Sequence, residues 1–129
     1  MADRDRPDQR WQAGSRYQDS ILTKLLQVTT TTASRDEAEQ IGRTLVEERL
    51  AACAQIAGPL SSFFRWDGRV DSAAEWFCFL KTSADRYPAL EQRLKSLHSY
   101  ETPEVIAVPI EQSSLEYATW IEESVRPGS

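Results

Sequence analysis

The sequence has few of the residues that most often carry chemistry. Its 129 residues include two cysteines, one histidine and no asparagine. Cys53 and Cys78 form neither a disulfide framework nor a Cys-x-x-Cys zinc motif. A single imidazole leaves one candidate base for a serine, cysteine or threonine nucleophile. The five glycines stand far apart, unlike those of a phosphate-binding loop. These absences argue against an enzyme and against a nucleotide sensor.

Long apolar runs and an excess of positive charge are also missing. No stretch approaches the ~18 apolar residues that a membrane span needs, and residues 1–20 lack the apolar core of a secretory signal. The formal net charge is −5, whereas proteins that bind nucleic acid rely on Lys and Arg to displace counterions. We therefore expect a cytoplasmic protein that binds neither nucleic acid nor a membrane.

A hydrophobic content of 40% is enough for one core in one domain. Residues 1–19 are polar and charged and are predicted to be a flexible N-terminal arm, which leaves residues 20–129 as the folded domain. Alternation over residues 21–32 predicts a first strand. Ser34, followed three residues later by Glu37, matches a capping box and predicts a helix that ends near Leu50.

Asp67-Gly68 between two β-rich runs is a strong signal for a hairpin with a two-residue turn. Such a turn places Cys78 opposite Ala57 and Cys53 opposite Thr82. The two cysteines are then offset by roughly 13 Å along the strands, which is too far for a disulfide. Both thiols are expected to stay reduced.

The second strand of this hairpin is apolar on both faces over residues 76–80. Helices on one side of a small antiparallel sheet can cover only one of those faces. A neighbouring subunit is the simplest cover for the other. Gly58-Pro59, in the first strand, predicts a bulge or bend because proline has no N–H to donate.

The remaining chain repeats the pattern. Thr82 followed by Asp85 predicts a helix start near Asp85, with His98 at or just past the helix end. "EVIAVPI" is predicted as an edge strand because it contains Pro109, and residues 113–125 as a short amphipathic helix. The order β-α-β-β-α-β plus a last helix predicts an α+β, ferredoxin-like fold with an antiparallel sheet.

Four segments in this order and spacing are similar to the CutA family of divalent-cation tolerance proteins: "LVEERLAACAQI", "FFRWDGRV", "LHSYETPEVIAVPIE" and "YATWIEES". The resemblance implies a ferredoxin-like protomer in a homotrimer with the sheets packed inside. It also implies a likeness to PII signalling proteins and a link to tolerance of copper and other divalent metals. Many members have cysteine at the position of Thr32, and a hydroxyl is a poor ligand for Cu⁺.

His98 and Glu101 are the candidate metal ligands, and this donor set suits Cu²⁺ or Zn²⁺ better than Cu⁺. So few ligands make a weak site unless a subunit cleft supplies more. The alternative is a PII-like signalling or scaffold trimer in which His98 is a structural helix-end residue. The residues expected in a ligand cleft or subunit contact are Cys53, Arg65, Trp66, Tyr100, Glu104 and Trp120.

Overall fold

The computed structural model describes residues 24–128, so the arm predicted at residues 1–19 lies outside the described part of the chain. No helix within residues 24–128 is both long enough and apolar enough to cross a membrane. The predicted order of elements is confirmed. The elements are β1 (Leu25–Thr32), α1 (Arg35–Glu47), β2 (Cys53–Trp66), β3 (Arg69–Ser83), α2 (Tyr87–Leu97), β4 (Ile106–Pro109) and α3 (Leu115–Ser124).

The four strands form one antiparallel sheet in the order β2-β3-β1-β4. β1 lies in the middle and pairs with β3 on one side and β4 on the other. β4 is an edge strand, which explains how it accommodates Pro109, as predicted. This arrangement is the ferredoxin-like α+β fold.

One face of the sheet is covered by α1 and α2. Gly42 lets α1 approach the sheet closely, because a Cβ at this position would lie 2.7 Å from the Cβ of Ala54. The predicted apolar stripe of α1 is buried here. The largest buried side chains of this core are Val28, Ile41, Leu45, Leu80, Leu90 and Leu94.

The other face of the sheet is covered at one end only. Leu25 lies three positions before Val28 on β1, so the two side chains point to opposite faces of the sheet. Leu25 packs in a second cluster with Ala118 and Ile121 of α3. Farther along this face, the rings of Phe77 and Phe79 stack with their centroids 5.0 Å apart. The described protomer therefore leaves an apolar strip on this face, and cover by a neighbouring subunit stays a prediction.

The hairpin turn is confirmed at Asp67-Gly68. Trp66 pairs with Arg69 as the last rung, and Asp67 and Gly68 have φ angles of 52° and 74°. Positive φ at both central residues is the conformation that a two-residue hairpin turn requires.

The predicted pairing of the cysteines was wrong by one residue. The register shifts between Ala57 and Leu60, at the bulge predicted for Gly58-Pro59, so Cys78 pairs with Ile56 and Cys53 with Lys81. The bulge adds one residue to β2, which the predicted pairing did not include. Both thiols are free, as expected.

The predicted cap of α2 was wrong, although the helix begins only two residues after Asp85. The Thr82 hydroxyl does not cap the helix, because it is buried and donates a hydrogen bond to the carbonyl of Leu50 at 2.7 Å. The N-cap is Arg86, with no side-chain capping bond, and the helix begins at Tyr87 with Pro88 in its first turn. His98 is the C-cap, as predicted.

Candidate functional site

A cavity of about 720 Å³ opens between the outer half of the β2–β3 hairpin and the loop that follows α2. Two carboxylates, Asp71 and Glu75, reach it from β3, and two more, Glu101 and Glu104, come from the loop. No Lys or Arg is among its described lining residues. We call this cavity the acidic cleft. A concave surface lined by one sign of charge concentrates ions of the opposite sign, so the acidic cleft favours cations.

Aromatic side chains form much of the remaining wall. Phe63, Phe64 and Trp66 contribute from β2, and Tyr100 contributes from the loop. Four of the predicted site residues therefore meet in the acidic cleft: Trp66, Tyr100, Glu101 and Glu104. Trp66 is 67% exposed in the protomer.

His98 lies behind the acidic cleft and is not among its lining residues. Its side chain has no exposed surface. The ring Nε2 lies 2.8 Å from the carbonyl oxygen of Thr31, and Nδ1 accepts the backbone N–H of Tyr100 at 3.1 Å. This pattern assigns a neutral imidazole with the proton on Nε2.

Both ring nitrogens of His98 are therefore occupied by backbone partners. A metal ion would have to displace one of these hydrogen bonds to reach a nitrogen lone pair. Coordination by His98 stays a prediction, and it requires a change from the described conformation.

Glu37 is a residue whose place at the site was missed in the sequence. One of the two hydrogen bonds of the predicted capping box forms: the backbone N–H of Glu37 donates to Ser34 Oγ at 3.1 Å. The Glu37 carboxylate instead accepts two hydrogen bonds from Ser99, from its N–H at 2.7 Å and its hydroxyl at 3.0 Å. Because Ser99 lies 62 residues away, no local pattern indicates this contact.

Tyr100 joins the loop to the hairpin. Its hydroxyl donates to the Glu75 carboxylate at 2.7 Å, and its ring lies 4.9 Å from that of His98. Burial, the hydrogen bond to Glu75 and the negative charges of Glu75 and Glu37 raise the pKa of Tyr100 to about 12. The phenol is therefore protonated at neutral pH and remains a hydrogen-bond donor.

The other predicted site residues lie elsewhere. Cys53 Sγ lies 3.8 Å from the hydroxyl of Tyr117, whose ring stacks on Trp120 at 5.4 Å. Arg65 is exposed on β2, opposite Val70, and does not line the acidic cleft. The structure thus separates a Cys53–Trp120 region from the acidic cleft.

The described part of the protomer does not assemble a metal site by itself. Within residues 24–128, no group of three or more His, Cys, Asp or Glu side chains is placed to hold a metal ion. Thr32 is buried, and its hydroxyl donates to the carbonyl of Ser34 at 2.7 Å. It therefore has a structural hydrogen bond in place of a ligand role.

Residues 26–124 match the family model described as CutA1 divalent ion tolerance protein. The chain belongs to the CutA1 divalent ion tolerance family. This assignment confirms the resemblance seen in the sequence. The matched residues extend from β1 through α3 and include the acidic cleft.

Known CutA proteins agree in sequence and fold. The divalent-cation tolerance protein CutA of Thermus thermophilus is 42% identical over 94 residues, which cover 73% of this chain and 91% of the relative. A solved structure of the divalent cation tolerance protein (Cut A1) from Thermus thermophilus gives a TM-score of 0.77 at 39% identity, covering 79% of this chain and 99% of that one. A structure from Archaeoglobus fulgidus, described as a periplasmic divalent cation tolerance protein CutA, gives a TM-score of 0.76 at 37% identity over 79% and 99% of the two chains.

Proposed function

We propose that this CutA-family chain binds divalent cations in the acidic cleft and that a neighbouring subunit of a homotrimer completes the site. The observation that carries the proposal is the set of four carboxylates on the wall of one cavity, with no Lys or Arg among its described lining residues. Carboxylate oxygens are ordinary ligands of divalent cations. The donor set therefore fits a divalent cation as the ligand that the protein binds.

The need for a second subunit follows from the number of donors. Although four carboxylates line the cavity, within residues 24–128 no three suitable side chains are placed to hold a metal ion together, and structural zinc sites usually have four ligands. The outer hairpin also exposes large apolar side chains beside the acidic cleft, with Phe63 75% exposed. Large exposed apolar patches mark interfaces, so a partner that covers the hairpin would also supply groups to the acidic cleft.

The residues favour Cu²⁺ or Zn²⁺ over Cu⁺. Glu101 and Glu104 offer oxygens, whereas Thr32 stands where many family members carry a thiol, and soft Cu⁺ prefers sulfur ligands. We further propose a cation-binding protein without catalytic activity. The two backbone hydrogen bonds of His98 support this, because they occupy the base that a nucleophile would need.

Titration calorimetry with CuCl₂ or ZnCl₂ tests the proposal. We expect roughly micromolar binding by the wild type and a loss of at least about tenfold in affinity when Glu101→Gln and Glu104→Gln are combined. Glu39→Gln is the matched control, since Glu39 is 52% exposed on α1 and pairs with Arg35. Wild-type affinity in the double variant would contradict the proposed site. His98→Ala reports separately whether the imidazole participates.

A PII-like signalling or scaffold trimer without a metal function is the second candidate. The buried His98, whose ring nitrogens both serve the backbone, is the observation that favours it. The same titration separates the two functions. A wild-type trimer that gives no heat with either cation would support the scaffold.

A further inference from the structure

The chain between α2 and β4 carries two of the four carboxylates of the acidic cleft and has no regular secondary structure of its own. We call residues 98–104 the cleft loop, and it contributes Glu101 and Glu104. Because it has no helix or strand ladder to hold it, its position depends on contacts with other elements. Those contacts gather at its first three residues, His98, Ser99 and Tyr100.

Three elements hold these three residues. The His98 ring forms a hydrogen bond with the Thr31 carbonyl of β1, and the Tyr100 hydroxyl donates to the Glu75 carboxylate of β3. α1 holds Ser99 through Glu37, which accepts both the N–H and the hydroxyl of that residue. Among these three contacts, only the one from α1 is made by a charged group to the loop backbone itself.

Glu37 is placed for this task and not for cation binding. Its side chain is only 15% exposed and does not line the acidic cleft. Its Oε2 also lies 3.5 Å from His98 Nδ1, so the carboxylate sits against two successive loop residues. Hydrogen bonds to an ionised acceptor are shorter and stronger than neutral ones, and the Ser99 N–H contact of 2.7 Å is of this kind.

We propose that Glu37 is a positioning residue for the cation site. It holds the start of the cleft loop so that Glu101 and Glu104 face Asp71 and Glu75 across the acidic cleft. This inference rests on the proposed function. A carboxylate can accept from both Ser99 donors, whereas an amide presents one acceptor oxygen and one N–H donor group. Glu37→Gln therefore replaces two charge-assisted hydrogen bonds by neutral ones, and the Ser99 hydroxyl has to accept from the amide instead of donating to a carboxylate oxygen.

The test compares Glu37→Gln with Asp36→Asn in the full-length protein. Asp36 lies in the same first turn of α1 and is exposed, so its variant loses the same charge near the helix N-terminus. We expect Glu37→Gln to weaken Zn²⁺ binding by at least about tenfold, the size of one lost hydrogen bond to a charged group. Asp36→Asn should bind Zn²⁺ with wild-type affinity.

Two further measurements distinguish positioning from general destabilisation. Ser99→Ala removes one partner of Glu37, so adding Glu37→Gln to it should weaken binding by less than the two single losses combined. Amide hydrogen exchange at Ser99 and Tyr100 should speed up in Glu37→Gln and remain slow in Asp36→Asn. If Glu37→Gln does not fold, Ser99→Ala alone should show faster exchange at these amides and a few-fold loss of affinity.

The exchange measurement also separates this inference from the proposed function. A wild type that does not bind Zn²⁺ would rule out the proposed function. The rates of amide hydrogen exchange at Ser99 and Tyr100 would then decide whether Glu37 holds the cleft loop. Wild-type affinity together with wild-type protection in Glu37→Gln would overturn the inference.

Discussion

Tyr100 links the acidic cleft to the pH dependence of the fold. An unperturbed tyrosine has a pKa of 10.0, and in the folded protein this pKa is raised to about 12. The neutral phenol is thus favoured by folding, so its contribution to stability is complete below pH 10 and is lost as the pH rises through 12. Burial is the largest cause, followed by the hydrogen bond to Glu75 and the charges of Glu75 and Glu37.

We therefore expect the free energy of unfolding to fall less steeply between pH 10 and pH 12 in Tyr100→Phe than in the wild type. Denaturant unfolding at several pH values measures this slope. Other groups that titrate in the same range are common to both proteins, so their effects cancel in the comparison. Identical slopes would mean that the phenol ionises as easily in the fold as in the unfolded chain.

Residue-level chemistry was predicted unevenly from the sequence. The free cysteines were correctly predicted, and burial raises the pKa of Cys78 to about 12, which leaves it a poor nucleophile. Trp66, Tyr100, Glu101 and Glu104 line one cavity, whereas the sequence-based prediction paired Glu101 with His98 and placed the other three with Cys53, Arg65 and Trp120. The contact between His98 and the Thr31 carbonyl could not be predicted, because the two residues lie 67 positions apart. Which lone pairs are available depends on such distant contacts.

Among the elements, the β2–β3 hairpin offers a clean test of backbone conformation. Gly68 has a φ of +74°, and a Cβ there would meet no atom within 4 Å. Substitution therefore costs only backbone strain. We expect Gly68→Val to destabilise the protein by ~1–3 kcal/mol, measured by denaturant unfolding. Gly68→Asn should cost less, because asparagine tolerates positive φ better than a β-branched residue. Equal losses in the two variants would contradict a cost that arises from φ.

Helices and strands followed local patterns closely, whereas their fine pairing did not. Alternation, Asp67-Gly68 and the Ser34 cap are local signals, and each led to a confirmed element. The predicted cysteine register was wrong because the bulge inserts one extra residue into β2 between Ala57 and Leu60, which shifts all pairs beyond it by one. The Thr82 cap failed because a tertiary partner, the Leu50 carbonyl, takes its hydroxyl.

For the whole molecule, the decisive prediction is its mass in solution. The apolar strip with Phe77 and Phe79, together with the exposed aromatic hairpin, leads us to expect a homotrimer. Light scattering during size exclusion should give about three times 14.7 kDa. Phe79→Glu places a charge on the strip and should shift the mass toward that of one protomer. A wild-type protein that is monomeric at micromolar concentration would rule out both the proposed trimer and a cation site completed by a neighbouring subunit.

The assembly lies beyond what the pattern of one chain can specify. The doubly apolar residues 76–80 indicated that something covers the second face, but hydrophobicity does not encode how many subunits do so. The number three came from the family resemblance, and the metal came from the same source. Periodicity and turn chemistry predicted the fold of the protomer, because they act within short segments.

The strand order β2-β3-β1-β4 has a consequence for how the chain folds. β2 and β3 are neighbours in sequence and can zip from their turn on the microsecond scale. β1 can pair with β3 only later. Even the β1–β3 pair that is closest in sequence, Thr32 with Trp76, has α1, β2 and the hairpin turn between its two residues. The other edge of β1 pairs only with β4, which comes late in the chain. The earliest described strand to leave the ribosome is thus among the last to be fully paired, and until then it presents an open edge to other nascent chains.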